Sequence, residues 1–318
     1  MVNERHSMLI LGARGFLGSN LLYESARVFD VTGQVRTMPA ATDRPRGLAH
    51  HHLVTDDLDG PASIERLLDA IGPDVVVNCA ALANVDACER EPGLAHRVND
   101  ELVGWLADAC RRRGSRLVHV STDAVFDGQA GPYDEDSAVR PLNEYGRSKV
   151  GGEERATAAG ALVLRTNLVG WSAVGDRSLL EFFVDRLRRL DRTPAFDDVR
   201  FRPVTPRQFF EVLVELLERE VTGIVHLTGA ELISKFEFAH LVAREFGLPA
   251  DLIDRRSVAD AGLTAPRANT LDVVPRRLSQ LGITLPHLAA GLVDLREREE
   301  HGYRNDLAAV RASRGELV

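Results

Sequence analysis

Apolar residues recur along this chain in two alternating rhythms. Met8–Leu11, Val31–Val35, Leu53–Thr55, Val75–Cys79, Leu117–Ser121 and Leu162–Arg165 are short apolar runs of strand length. Between them Phe16–Phe29, Pro61–Ile71 and Leu94–Arg113 carry their apolar residues at helical spacing. Strands alternating with helices predict βαβ units and a parallel sheet covered on both faces. The expected fold class is therefore α/β, a Rossmann-type doubly wound parallel sheet, with ligands at the carboxyl ends of the strands.

Beyond Arg165 the alternation loosens. Leu179–Leu190, Arg207–Glu220 and Lys235–Phe246 read as helices and Ile224–Leu227 as a strand, with no linker between them. That pattern predicts a smaller C-terminal substrate lobe interwoven with the first domain. Residues 1–165 are assigned to the dinucleotide-binding domain, with return segments near 204–230, and 166–295 mainly to the substrate lobe. Residues 296–318 are highly charged and read as a tail, either a solvated helix or a frayed end. Met38–His52, rich in Pro, Ala, Arg and His, reads as loop. The histidine run His50–His52 has no carboxylate or cysteine at ligand spacing, so no metal site is expected.

Composition narrows the function classes. A net charge of −8 over 318 residues argues against a nucleic-acid grip, which wants a basic surface. No apolar stretch approaches the 18 residues of a membrane span, and the N-terminal run is too short for a signal peptide, so a cytoplasmic protein is expected. Cys79, Cys88 and Cys110 are too few and scattered for a disulfide framework, and read as reduced.

Chemistry enters at the first strand's end. Gly12-Ala-Arg14-Gly15-Phe16-Leu17-Gly18 stands between the first strand and first helix. Glycines there permit a tight turn and let backbone amides approach a pyrophosphate at the helix N-terminus. The second strand ends in Arg36-Thr37, and no acid follows until Asp43. An acid would hold the ribose 2′-hydroxyl of NAD. An arginine suits the additional phosphate of NADP, with Arg14 assisting, so NADPH is the expected cofactor and NADH the alternative. Asp57 and Leu58, past the third strand, are assigned to the cofactor as well.

Tyr145-Gly-Arg-Ser-Lys149 places a phenol and an ammonium four residues apart, on one face of a helix that Pro141-Leu-Asn143 can start. A nearby ammonium favours phenolate, which predicts a lowered pKa for Tyr145. Only Lys149 and Lys235 are lysines among 39 basic residues, so a lysine here is a marked choice. Ser121-Thr122-Asp123 closes the strand before this helix, where a hydroxyl can donate to a substrate carbonyl.

With these residues in view, the chain resembles an extended short-chain dehydrogenase/reductase, and more narrowly the dTDP-4-dehydrorhamnose reductase family. The resemblance runs from the glycine loop to about Leu285. It includes Val76-Val-Asn-Cys-Ala80-Ala81, Val85-Asp86, Val98-Asn99, Ser121–Gly128, Pro141–Lys149, Arg165-Thr166, Gly223–Leu227 and Pro266-Arg267. It implies that Thr122, Tyr145 and Lys149 are catalytic, with Asn99 supporting the lysine through a hydrogen-bond network. It implies that Ala80, Ala81 and Leu82 line the cofactor. The partner it implies is a nucleotide-sugar substrate, bound by Asn84, Ala124, Asn167, Leu168, Arg202 and Arg267; the oligomeric state is left open by the sequence, with a homodimer as the candidate. Arg267, with Arg202 second, is placed at the nucleotide or pyrophosphate.

Two departures bear on the sugar. The family usually has tyrosine where this chain has Ala124, and often tryptophan where it has Leu168. Both remove bulk from where the sugar lies and point to a differently substituted deoxyhexose. A related dehydratase family carries an acid at the Ala124 position, which this chain lacks. An epimerase remains an alternative. So does a non-catalytic role, because the chain is also similar to the β subunit of methionine adenosyltransferase, including Arg200-Phe-Arg-Pro-Val-Thr205.

Overall fold

The computed structural model describes residues 5–37, 52–173, 175, 178–260 and 265–309, apart from the side chains of 308 and 309. The expected loop from Met38, with His50 and His51, lies outside the described residues, while His52 opens a strand.

The strands in chain order are β1 (Ser7–Leu11), β2 (Asp30–Val35), β3 (His52–Thr55), β4 (Val75–Asn78), β5 (Arg116–Thr122), β6 (Leu162–Thr166), β7 (Thr193–Phe196), β8 (Arg200–Phe201), β9 (Gly223–His226), β10 (Ile233–Ser234) and β11 (Ile253–Arg256). Seven of them make one sheet in the order β3-β2-β1-β4-β5-β6-β9, and every pairing is parallel. The order reverses between β1 and β4, which opens a crevice at the carboxyl ends of the strands.

Two-residue alternation decides which strand residues meet which helices. On one face Met8, Ile10 and Val77 pack under Leu21 and Leu22 of α1 (Phe16–Ser25), with Phe209 and Leu213 from a later helix. On the other face Leu9, Leu11 and Val76 meet Ile64 and Leu68 of α2 (Pro61–Ile71). After β4 come α3 (Val85–Arg90), α4 (Pro92–His96), a π-helical turn at Arg97–Glu101 and α5 (Leu102–Arg113). The helix expected over Leu94–Arg113 thus contains a wide turn, and Asn99 is its buried residue. Helix α6 (Glu144–Ala158) lies between β5 and β6.

The C-terminal part is interwoven, as its lack of a linker predicts. Helix α7 (Leu179–Arg188) leads into the lobe, but α8 (Pro206–Glu218) returns to supply Phe209 and Leu213 to the sheet, and β9 completes it. The lobe has its own core of Trp171, Phe183, Phe201 and Phe238. It is closed by α9 (Lys235–Glu245) and α11 (Leu288–Glu300), β7 pairs with β11 there, and the short α10 (Arg276–Gln280) instead packs Leu278 into the core under the sheet.

The charged tail expected from Arg296 needs correction. Arg296 lies within α11, and α12 (Tyr303–Ala309) follows, with Tyr303 and Leu307 buried in the lobe core. The Tyr303 hydroxyl donates to Asn20 of α1 over 2.6 Å, and Arg298 pairs with Glu24. Charge in this stretch meets charge on neighbouring helices, so the segment is docked through residue 309.

Candidate active site

The glycine loop forms the first wall. Gly12 has φ +70°, and a side chain there would strike the backbone of Ala80 at 2.8 Å. A Cβ on Gly18 would collide with the Gly12 carbonyl. Gly15 caps α1 with no side-chain bond, and no acid stands in the helix's first turn, so an anion meets amides there without competition. Gln34, in β2 and 2% exposed, braces the bend. Its Oε1 accepts from the Gly12 amide at 3.0 Å and its Nε2 donates to Asp56. Sequence reading missed Gln34, because only strand pairing shows that it faces the loop.

Arg14 reaches the end of β2, to the residue after Arg36. Arg36 is exposed, and the Arg14 guanidinium donates to the Thr37 carbonyl at 3.3 Å. Leu58 is buried with φ +54°, and its amide donates to Asp56; Asp57 beside it is exposed. Ala80 is half-buried beneath Gly12, followed by exposed Ala81 and half-buried Leu82.

The second wall is β5 and α6. The Asn143 side chain caps α6 by accepting from Gly146 at 2.9 Å, and its amide donates to the Pro266 carbonyl. That start presents Tyr145 toward Thr122 at the end of β5, whose hydroxyl acts on the phenol. Burial pushes the half-buried Tyr145 phenol up to about 12; the Thr122 hydroxyl works the other way, and the charge of Asp123 adds to the rise. The expectation of a lowered tyrosine pKa is therefore corrected. Desolvation dominates, and the restraint on it comes from Thr122.

Lys149 is 1% exposed. Its amine donates to the Val120 carbonyl at 2.7 Å and lies 3.1 Å from His119 Nε2. Burial lowers it to about 8, against the pull of Glu153. Glu153 is itself engaged. It accepts from Arg165 at 2.6–3.1 Å and from the Ser121 hydroxyl at 2.5 Å. Asn99 does not reach the lysine amine. Its amide clamps both backbone groups of Leu82, at 2.9 and 3.1 Å, and donates to Ser148 Oγ at 3.0 Å. It bonds Ser148, the neighbour of Lys149, while His119 lies against the amine itself.

Around the mouth, Asn167 donates to Asp123 at 2.6 Å, and Asp123, fully enclosed, is raised to about 6 by burial. Lys235 feels the charges of Arg267 and Asp123, which brings the second lysine to the same region. Arg267 is half-buried and pairs with Asp86 at 2.9 Å. Ala124 is half-exposed and its carbonyl backs onto Gly146. Three expected sugar contacts have other engagements. The Asn84 side chain caps α3, Leu168 packs against the core under the sheet, and Arg202 bonds Asp272 and the Ala230 carbonyl.

The three cysteines are free, and burial pushes the thiols of Cys79, Cys88 and Cys110 to about 12, 11 and 12. Among the described residues no helix is long and apolar enough to cross a membrane.

Residues 6–299 match the family described as RmlD substrate binding domain. Over 296 residues the chain is 33% identical to a dTDP-4-dehydrorhamnose reductase of Mycobacterium tuberculosis, covering 89% of this chain and 90% of that one. It is 31% identical over 232 residues to the methionine adenosyltransferase 2 subunit beta of Xenopus laevis, covering 70% and 69%. Among solved structures, the dTDP-4-dehydrorhamnose reductase of Bacillus anthracis in complex with NADP superposes with a TM-score of 0.81. It is 22% identical, with 92% of this chain and 99% of that one covered.

Proposed function

The chain belongs to the RmlD substrate-binding-domain family, and from that premise we propose that it reduces the 4-keto group of a nucleotide-activated deoxysugar, with NADPH as reductant and NADH as the alternative. One observation carries the reading. A phenol beside a strand-end hydroxyl, with a buried amine one helical turn further on, stands across the crevice from a glycine bend.

The residues present fit the dinucleotide. A Cβ at Gly12 or Gly18 would fill the bend, and the α1 terminus offers its amides to a pyrophosphate. Gly12, Arg14, Gly15, Phe16, Leu17 and Gly18 would hold it, with Arg36, Asp57, Leu58, Ala80, Ala81 and Leu82 along its length. NADPH, when bound, supplies the hydride.

The side chains do the rest. Thr122 donates to the carbonyl oxygen and steadies the charge that develops there. Tyr145 gives its proton to the same oxygen. A phenol held up at about 12 is fully protonated at neutral pH, which is the form a reduction consumes. Lys149 keeps a polar group against the cofactor side of the phenol, and Asn99 fixes the helix turn that carries both. Asn167 and Asp123 form the wall toward the sugar, with Ala124 leaving room beside them. Arg267, near Lys235, is the residue best placed for the diphosphate, while Asn84, Leu168 and Arg202 contribute from their backbone segments.

In this reading residues 1–165, with the return near 204–230, hold the cofactor, and 166–295 mainly hold the sugar nucleotide. The protein works in the cytoplasm, where both compounds occur, as a homodimer whose mass light scattering would check. A partner-binding role is the second reading, favoured by the 31% identity to the Xenopus laevis subunit. The deciding experiment offers dTDP-, UDP-, GDP- and CDP-4-keto-deoxyhexoses with NADPH and with NADH, alongside Tyr145→Phe. Stoichiometric NADPH consumption that the substitution abolishes supports the reductase. An epimerase would recycle its cofactor, and a binding subunit would turn over nothing while forming a stable complex with a synthetase.

A further inference from the structure

The lysine amine and the ring beside it pose a question of proton placement. His119 is completely buried between Lys149 and Asn78. The parallel register of β4 and β5 sets Asn78 directly opposite His119. Asn78 Nδ2 lies 3.2 Å from His119 Nδ1, and His119 Nε2 lies 3.1 Å from the Lys149 amine.

The Asn78 amide cannot be turned over. The Ala80 N–H only donates, and it points at Asn78 Oδ1 over 3.1 Å. The NH2 end of the amide therefore faces the ring. That group also only donates, so Nδ1 must accept and carries no proton. A neutral imidazole with a bare Nδ1 has its hydrogen on Nε2, the atom turned toward Lys149. Rotating the ring by half a turn would set carbon atoms against both partners and lose both bonds. A doubly protonated ring is opposed by burial and by the lysine, which hold His119 well below the ordinary imidazole range.

An Nε2–H needs an acceptor. An ammonium has none, whereas a neutral amine has one lone pair and two hydrogens. We propose that His119 is a positioning residue that favours the neutral amine of Lys149 over the ammonium in the cofactor-free protein, the amine lone pair accepting from Nε2–H while one amine hydrogen goes to the Val120 carbonyl. The other groups facing the pair leave this assignment standing. Glu153, on the same helix, favours the ammonium, but its carboxylate already serves Arg165 and Ser121. The Cys79 thiol at the end of β4 is neutral, pushed up to about 12 by burial. Burial lowers Lys149 to about 8, in the same direction. The consequence for turnover rests on the reductase reading: Lys149 is then a group that changes charge near neutrality, and not a fixed cation.

The chain's two lysines make the test direct. Full-length, cofactor-free protein carrying 13C- and 15N-labelled lysine gives two side-chain signals, and Lys235→Arg removes one of them. The Lys149 signal is expected to titrate at about 8. Asn78→Asp supplies an acceptor for Nδ1, draws the ring hydrogen away from Nε2 and should raise that midpoint by about one unit or more. His119→Gln, which can turn a carbonyl to an ammonium, should move it the same way and stands in if the first variant does not fold. Titration of wild-type Lys149 at an ordinary lysine value would overturn the proposal, as would a lowered midpoint that folded variants leave in place. Neither outcome involves turnover, so failure of the reductase reading would show separately, as inertness toward every keto sugar.

Discussion

Asn167 donates its amide to the Asp123 carboxyl over 2.6 Å, tying the segment after β6 to the residue that follows Thr122. The bond does not offset the burial of that carboxyl, which is raised from 3.8 to about 6. The folded protein therefore binds this proton more tightly than the unfolded chain does. The stability this adds is complete below the unfolded value and is lost as pH rises through about 6. Relative to Asp123→Asn, the wild type should lose about 2–3 kcal/mol between pH 4 and pH 7. Urea unfolding of both proteins across that range measures it, and parallel pH curves would refute it.

Arg14 bonds the carbonyl of Thr37, next to exposed Arg36, at the strand end where the additional phosphate of NADP would lie. A charge-assisted bond to phosphate contributes about 1.5–3 kcal/mol, so Arg36→Ala should raise the KM for NADPH by about tenfold or more. The KM for NADH should hardly move. Equal effects on the two cofactors would assign Arg36 to the surface alone.

Gly18 faces the Gly12 carbonyl with no room for a methyl group. Gly18→Ala must push the bend open. It should cost about 1–3 kcal/mol of stability and abolish saturable NADPH binding, followed by fluorescence titration and thermal unfolding.

Much of this architecture is legible in the chain. The glycine bend declares itself because its residues are consecutive, and Tyr145 and Lys149 because one helical turn joins them. The π-helical turn at Arg97–Glu101 has no such local mark, so the detailed reach of Asn99 stays hidden. His119 and Asn78 are 41 positions apart and meet only through strand register. Gln34 is invisible for the same reason. The helices after Arg296 read as solvated because their charges are counted singly, whereas in the fold Arg298 meets Glu24 and Arg304 meets Asp185. Tyr145 misleads in another way: spacing shows its neighbour but not the desolvation that outweighs it.

Glu153 and Arg165 are 4% and 3% exposed and share a bidentate ion pair behind Lys149. Removing one partner strands the other charge in the interior. Arg165→Met should destabilise the fold by about 3–5 kcal/mol, while the double replacement Glu153→Leu with Arg165→Met should recover part of that loss. Denaturant midpoints of the three proteins decide it.

The central claim is a hydride delivered to a sugar carbon with Tyr145 supplying the proton, and isotope transfer tests it most directly. NADPH deuterated at the transferable position of C4 is incubated with the protein and a nucleotide-linked 4-keto-deoxyhexose, and the sugar is read by NMR. Deuterium bound at sugar C4, one per NADPH oxidised, with a loss of about 10²–10⁴-fold in rate for Tyr145→Phe, is the predicted result. A C4 position free of deuterium while the sugar is nonetheless converted, or transfer undiminished in Tyr145→Phe, would contradict it.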